Sequence, residues 1–140
     1  MNNTTRATTA KDIVRDWHLV DAKGKVLGKV AGEIAHMLMG KGKPYFVRNL
    51  DCGDYVVVVN AKEVEVSGKK ETEKTYFRHS GYPSGLKGEA FKDLLKRRPD
   101  EIIAHAVRGM LPQNKLRDSM LTRLHVFAGE AHTYADKFAK

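Results

Sequence analysis

The spacing of apolar residues alternates between strand-like and helix-like along the first half of the chain. Trp17, Leu19 and Val20 form a short apolar segment that predicts a strand. Between residues 26 and 39 the apolar positions recur every three or four residues, which predicts an amphipathic helix that ends at Gly40. Residues 56–59 are four consecutive valines, typical of a strand buried on both faces of a parallel sheet covered by helices. This strand–helix–strand order predicts an α/β fold.

The second half of the chain predicts shorter elements. Residues 64–66 alternate valine with glutamate and predict a half-exposed strand, whereas residues 89–97 predict a short helix. Pro99 suits the first turn of a further helix, with Glu101, His105 and Arg108 on its exposed side. The predicted buried stripe of that helix is Ile102, Ile103, Ala106, Val107 and Met110. One more helix from 116 to 124 and a strand at 125–128 complete the prediction.

Length and composition point to one compact domain. The chain has 140 residues, so we expect a polar N-terminal tail over 1–15 and a single α/β domain over 16–140. Its longest apolar run, residues 55–59, is far below the roughly 20 residues that span a bilayer. The N-terminus has no apolar stretch of the secretory kind, and Cys52 is the only cysteine. We therefore expect a cytoplasmic protein without internal disulfides and without membrane partners.

Positive charge is concentrated in the middle of the chain. The formal net charge is +8, and residues 67–123 contribute most of it, with thirteen basic and seven acidic side chains. A basic surface of this size favours polyanionic partners, because each neutralised phosphate releases condensed counterions. A basic protein that is merely soluble would not need its excess charge in one region.

Enzymatic motifs receive no support from the sequence. Residues 24–30 superficially resemble a phosphate-binding loop, but the glycine spacing is one residue short and Val30 replaces the magnesium-binding hydroxyl. The six histidines form no pair at metal-ligand spacing, and no nucleophile elbow is present. We therefore expect no catalytic residues, metal, cofactor or small-molecule substrate.

The segment 69–87 combines the groups that RNA recognition uses. Ammonium and guanidinium groups contact phosphates, aromatic faces stack on unpaired bases, and glycines let the backbone approach a sugar-phosphate surface. The alternative is a flexible solvated loop with incidental aromatic residues. The candidate RNA-binding residues of this segment are Lys69, Lys70, Lys74, Tyr76, Arg78, His79, Ser80, Gly81, Tyr82, Gly85 and Lys87.

Three further basic clusters lie outside this segment. Residues 96–98 form one, although a cationic last turn also satisfies a helix C-terminus. The other two extend the set of candidate RNA-binding residues by Lys41, Lys43, Arg108, Lys115, Arg117 and Arg123. Basic clusters dispersed over one small domain indicate contact with several RNA segments.

Six motifs, in order, resemble the thirteenth ribosomal protein family of the bacterial-type large subunit. The most specific is residues 106–112, with the string Ala-Val-x-Gly-Met-Leu-Pro. The other motifs are residues 17–22, 27–31, 53–61, 68–70 and 79–83. The resemblance covers about residues 16–132.

The resemblance implies a fold, a function and contact residues. The fold would be a three-layer α/β/α domain around a mostly parallel four-stranded sheet, with a basic, glycine-rich loop extension. The protein would bind large-subunit ribosomal RNA beside other ribosomal proteins, support early subunit assembly and act without catalysis. On this basis Gly109 joins the candidate residues, and Arg108 and most of those in 69–87 gain support.

Two other functions remain open from the sequence alone. A free form of the protein could bind messenger RNA and regulate translation, because the same cationic surface would serve both roles. A small nucleotide-binding α/β enzyme rests on fold-level analogy alone.

Overall fold

The structure of the protein is a computed structural model that describes residues 5–139. The first four residues of the predicted N-terminal tail and Lys140 lie outside the described residues. From Thr8 onward the tail contacts the loop that precedes the central strand: the Thr8 hydroxyl donates to the Tyr45 carbonyl at 2.9 Å, and Arg15 donates to the Asp51 carbonyl at 3.0 Å.

Three parallel strands form the main sheet, in the order β1 (Trp17–Asp21), β2 (Tyr55–Val59) and β5 (Leu124–Val126). Val58 of β2 pairs with Val20 on one side and with Val126 on the other. With helices connecting the strands, this sheet confirms the predicted α/β class.

The predicted strand at residues 64–66 is reduced to a single parallel bridge between Val26 and Glu65. Val26 is also the N-cap of the following helix, so the backbone that would continue the pairing turns into a helix instead. The described sheet therefore has three strands where four were expected.

Two helices, α1 (Leu27–Met39) and α4 (Pro99–Met110), pack on one face of the sheet and on each other. Both follow their predicted apolar stripes, and Gly40 ends α1 with a φ of 76°, the left-handed conformation that glycine adopts most easily. Their fully buried side chains include Ile34, Ile102 and Ile103. Met110 departs from the predicted stripe: it is 44% exposed, because the last turn of α4 borders open grooves.

Aromatic residues of the C-terminal segment cover the other face of the sheet. Trp17 stacks on Tyr55 of the neighbouring strand at 4.4 Å between ring centroids, and Tyr134 lies over both Trp17 and His125. Within the described residues this layer contains one short 3-10 helix, Ala135–Lys137, and no α-helix. The layering therefore differs from the expected α/β/α arrangement.

The remaining elements pack beside α4, and Phe91, Leu94 and Met120 extend the core into them. These elements are α2 (Lys70–Glu73), the antiparallel strands β3 (Thr75–His79) and β4 (Leu86–Ala90), and the short helices α3 (Phe91–Arg97) and α5 (Leu116–Thr122). The predicted helix at 89–97 begins two residues late because Glu89 and Ala90 complete β4. The helix predicted to reach Leu124 ends at Thr122, and Leu124 begins β5.

Candidate nucleic-acid interface

Within the segment 69–87, β3 and β4 form a hairpin whose tight turn depends on glycine. Arg78 pairs with Lys87, and Ser80 and Gly85 close the turn with a hydrogen bond of 3.2 Å from nitrogen to oxygen. A Cβ atom on Gly85 would lie 2.8 Å from the Tyr82 carbonyl oxygen and 2.0 Å from the Ser80 hydroxyl oxygen, so a side chain there would force the turn to shift. Gly81 has a φ of 86° at the same turn. The shape of this turn therefore depends on glycine at both positions.

Tyr76 faces inward and anchors the hairpin. Its ring meets His105 edge-on at 5.3 Å and stacks over Phe91 at 6.4 Å. Burial raises the pKa of the Tyr76 hydroxyl. The Lys74 ammonium lies 5.2 Å from the centre of the Tyr76 ring, a cation–π contact. The ring of Tyr76 thus has stacking partners within the protein itself.

A groove of about 630 Å³ separates the hairpin from α3 and α4. Arg78 and Lys87 border it from the hairpin, and His105 borders it from α4. In the same groove Arg97 binds Glu89 with two hydrogen bonds of 3.0 and 2.6 Å, and these bonds lower the pKa of the Glu89 carboxyl. Arg97 is thus paired with a protein carboxylate, whereas Arg78 and Lys87 form no ion pair with any described residue.

Most of the predicted lysines and arginines are exposed and form no ion pair within residues 5–139. We refer to these as the cationic surface: Lys41, Lys69, Lys70, Lys74, Arg78, Lys87, Arg108 and Lys115. A cation without a carboxylate partner retains its full charge for a polyanion. Of the basic cluster 96–98, Arg98 also pairs internally, with Glu101 at 2.6 Å.

The exposed end of α4 connects the separate parts of this surface. Met110 shares one groove with Lys70 and Lys74 and another with Lys41. His105 shares one groove with the hairpin and another with Arg108. Clusters far apart in sequence are therefore neighbours around a single helix.

Two of the predicted RNA-binding cations form ion pairs inside the protein. The Lys43 ammonium, 13% exposed, binds the Asp54 carboxylate at 2.5 Å. Arg123 is 8% exposed at its side chain and binds the Asp51 carboxylate. Each is enclosed with its partner carboxylate, so neither has a free charge to offer to a phosphate. Lys43 and Arg123 therefore lie apart from the exposed cationic surface.

The other predicted residues occupy intermediate positions. Arg117 is half-buried, and its Nε atom is buried without a hydrogen-bond partner in the described residues. Ring nitrogen Nδ1 of His79 accepts a hydrogen bond of 2.9 Å from the Gly81 backbone. Tyr82 is 75% exposed, and a Cβ on Gly109 would meet nothing within 4 Å. These positions leave Tyr82 and Gly109 open to a close-lying partner.

Sequence reasoning missed Phe77 and Arg48. Phe77 is 68% exposed on the hairpin, and strict strand alternation with the inward Tyr76 could have identified it. Arg48 is exposed and borders a groove of about 340 Å³ together with Lys41. Arg48 stands outside the basic clusters of the sequence, so only the folded loop brings it to the surface.

Two kinds of feature, membrane-spanning helices and metal-binding clusters, are not found in the described part of the chain. No helix there is long and apolar enough to cross a membrane. Among residues 5–139, no group of three or more His, Cys, Asp or Glu side chains is arranged to hold a metal ion.

The chain is similar to known ribosomal proteins over most of its length. The sequence profile of the family described as ribosomal protein L13 matches residues 15–133. The class is thus that of ribosomal proteins, and the protein is structural and not an enzyme. The chain belongs to the ribosomal protein L13 family, which confirms the resemblance seen in the sequence.

Individual relatives match nearly the full length of the chain. The large ribosomal subunit protein uL13 of Dehalococcoides mccartyi strain 195 is 54% identical over 133 residues, covering 95% of this chain and 93% of the relative. The protein of the same name from Clostridioides difficile is 55% identical over 124 residues, covering 89% and 87%. That from Pelodictyon phaeoclathratiforme is 48% identical, covering 95% and 89%.

Proposed function

We propose that the protein is a constituent of the large ribosomal subunit that binds large-subunit ribosomal RNA through its cationic surface. The observation that carries this proposal is the set of unpaired, exposed cations around the end of α4. The relatives are named as large-subunit proteins, which supports the placement in that subunit. The protein would then act in the ribosome, in the cytoplasm, beside other ribosomal proteins.

The mechanism is electrostatic and steric. The α/β body holds α2, the hairpin and the last turn of α4 in fixed relative positions, so that each neutralises phosphates of a different RNA segment. Binding then favours the RNA arrangement in which those segments lie together. A protein that stabilises such an arrangement is most useful before the RNA is fully folded, which is consistent with early assembly.

Salt dependence of binding tests the RNA contact. If about six phosphates are neutralised, a plot of log affinity for large-subunit rRNA against log salt has a slope of about −4 to −5. Replacing Lys69 and Arg78 together by alanine removes two contacts and makes the slope less steep by about 1.5. The matched control replaces Lys25 and Lys62, exposed lysines that follow β1 and β2, and so removes the same charge elsewhere.

The result is decided by comparing the two double variants. We expect the Lys69/Arg78 double variant to bind rRNA more weakly and with a less steep dependence on salt. The Lys25/Lys62 double variant should change both properties far less. Equal effects of the two would mean that only net charge matters and would refute the assignment of this surface. An unchanged denaturation midpoint in urea verifies that each variant is folded.

Order of addition during subunit reconstitution tests the role in assembly. With the chain present from the start, we expect faster formation of large-subunit particles than with the chain added last. Equal rates in the two orders would contradict an early role and leave the RNA contact itself intact.

A further inference from the structure

The groove of about 340 Å³ that contains Lys41 and Arg48 lies between the loop 41–50, the ends of α1 and α4, and α5. Both cations are exposed, and neither forms an ion pair within residues 5–139. Among the described residues that line this groove, none is an aspartate or a glutamate. The groove therefore presents two uncompensated positive charges, which favour an anionic partner.

The floor of the groove is apolar and rich in methionine. Leu111 and Met120 are buried there, Met39 and Phe46 are half-buried, and Met110 is exposed. Methionine side chains adapt their shape to a neighbour, and their sulfur atoms pack favourably against aromatic rings. Such a floor suits a flat aromatic group better than it suits a phosphate or a sugar.

The size of the groove limits what enters it. Pockets that enclose small ligands measure about 300–1,000 Å³, so this groove lies near the lower end of that range. One or two ring systems fit in it. A partner α-helix, about 10–12 Å across with its side chains, is too wide to enter.

The groove is continuous with the cationic surface. Lys41 belongs to that surface, and Met110 also borders the groove that contains Lys70 and Lys74. A polyanion that passes the end of α4 therefore meets cations on both sides of the exposed methionine. Proteins that bind single-stranded RNA combine such a positive track with platforms on which turned-out bases rest.

We propose that this groove holds an unpaired nucleotide of large-subunit ribosomal RNA, with its base on the apolar floor and adjacent phosphates at Lys41 and Arg48. The inference rests on the proposed function and specifies the form of RNA that this part of the surface receives. An unpaired nucleotide joins a flat ring to negative charge, which matches both halves of the groove. The competing occupant is an acidic peptide with an apolar side chain.

Photo-crosslinking in purified large subunits identifies the occupant. The variant Met110→p-benzoylphenylalanine places a photoreactive ring beside the floor, at a side chain that is already exposed. After irradiation, we expect an rRNA adduct that stops reverse transcription at an unpaired nucleotide. The matched control is Leu19→p-benzoylphenylalanine, at an exposed position of β1 outside this groove, and it should not give that stop. An adduct with a second protein at Met110, a stop only in paired RNA, or no adduct overturns the proposal.

Binding to protein-free large-subunit rRNA separates the charged and apolar halves of the groove. The double variant Lys41→Ala/Arg48→Ala removes two phosphate contacts, so we expect about tenfold weaker binding and a salt slope less steep by about 1.4. Met110→Ser removes apolar surface and no charge, so affinity should fall about fivefold with an unchanged slope. Leu19→Ser is the control and should stay within about twofold of wild type. If Met110→Ser also stays within twofold, no base rests on the floor and the proposal is refuted.

The failure of this inference is distinguishable from that of the proposed function. Lys69→p-benzoylphenylalanine, on the cationic surface but outside this groove, should crosslink to rRNA. If this adduct forms and the Met110 position gives none, only the nucleotide in the groove is excluded. If neither adduct forms and wild-type binding does not depend on salt, the proposed function fails as well. An unchanged denaturation midpoint in urea verifies that each variant is folded.

Discussion

Arg123 and Asp51 form a two-point ion pair between residues 72 positions apart in the chain. Atom Nη2 of Arg123 donates to Oδ1 of Asp51 at 2.6 Å, and Nη1 donates to Oδ2. The same guanidinium donates to the carbonyl of Leu38 at 3.1 Å and to that of Asp54 at 3.3 Å. One side chain thus links the end of α1, the loop before β2 and the start of β5.

Replacing Arg123 by lysine should destabilise the fold without changing RNA recognition. An ammonium cannot reproduce the forked geometry, and a broken buried pair costs about 3 kcal/mol or more. We expect urea denaturation to show a loss of about this size, with an unchanged salt slope of rRNA binding for the folded variant. The control Lys41→Ala, on the exposed surface, should cost less than about 0.5 kcal/mol. A loss below 1 kcal/mol for Arg123→Lys would contradict a structural role.

Stability should decrease in acid because of Asp51 and Asp54. Burial raises the pKa of both carboxyls, but hydrogen bonds from Arg123 to Asp51 and from Lys43 and His18 to Asp54 outweigh it, and both pKa values are below the ordinary 3.8. The unfolded chain therefore takes up protons first as the pH falls. The stabilisation is complete well above pH 3.8 and is lost as the pH falls through the lowered folded-state values.

Thermal unfolding between pH 7 and pH 2.5 measures this effect. The variant Asp51→Asn should be less stable at pH 7 and should lose less stability on acidification than wild type. The exposed Asp136→Asn is the control and should follow the wild-type profile. If Asp51→Asn and wild type lose stability in parallel as the pH falls, the lowered pKa of Asp51 is not the source of the acid sensitivity.

Gly53 should tolerate no side chain, in contrast to Gly28. A Cβ on Gly53 would lie 1.6 Å from the Leu38 carbonyl oxygen, whereas a Cβ on Gly28 of α1 meets nothing within 4 Å. We expect Gly53→Ala to cost about 3 kcal/mol through forced backbone displacement. Gly28→Ala should raise the free energy of unfolding by at most about 1 kcal/mol, because alanine favours the helix. Chemical denaturation of both variants measures the difference, and similar midpoints would contradict the close approach at Gly53.

Tyr134 should fix the C-terminal segment on the sheet. Its ring centroid is 5.2 Å from that of Trp17 and 4.5 Å from that of His125. Tyr134→Ala should cost about 2 kcal/mol and shift the emission of Trp17, the only tryptophan, to longer wavelength as water reaches the ring. Tyr82→Ala, at a ring that is 75% exposed, should change neither property. An unshifted Trp17 emission in Tyr134→Ala would mean that the segment does not shield this ring.

The sequence predicts those features that depend on local periodicity. The helical spacing from Leu27 to Leu38 and the run of valines in β2 give α1 and the central strand because burial there follows a fixed repeat. The alternation at residues 64–66 is equally regular, yet it yields one bridge because the backbone beside it turns into α1. Tyr134 and Phe138 follow no periodic pattern in the sequence. The layer that they form over Trp17 is therefore recognised only in the folded structure.

Residue type alone predicts the site only in part. Lys69 and Arg123 have the same charge, and what distinguishes them is a carboxylate that Arg123 meets through folding. Likewise Tyr76 and Phe77 are adjacent rings, and the strand sends one into the protein and the other outward. The sequence alone therefore does not show which charged side chains meet a distant carboxylate, or whether an aromatic side chain points into the protein or outward.

The central position of β2 has a consequence during synthesis. Its first neighbour, β1, has already been translated when the four valines are made, but its second neighbour, β5, is translated about 65 residues later. Until then one edge of β2 has open backbone groups, and such an edge invites pairing with other chains. Overproduced chains should therefore aggregate chiefly through β2 while they are still incomplete. Rapid folding after release from the ribosome should limit this aggregation, because β5 then covers the open edge.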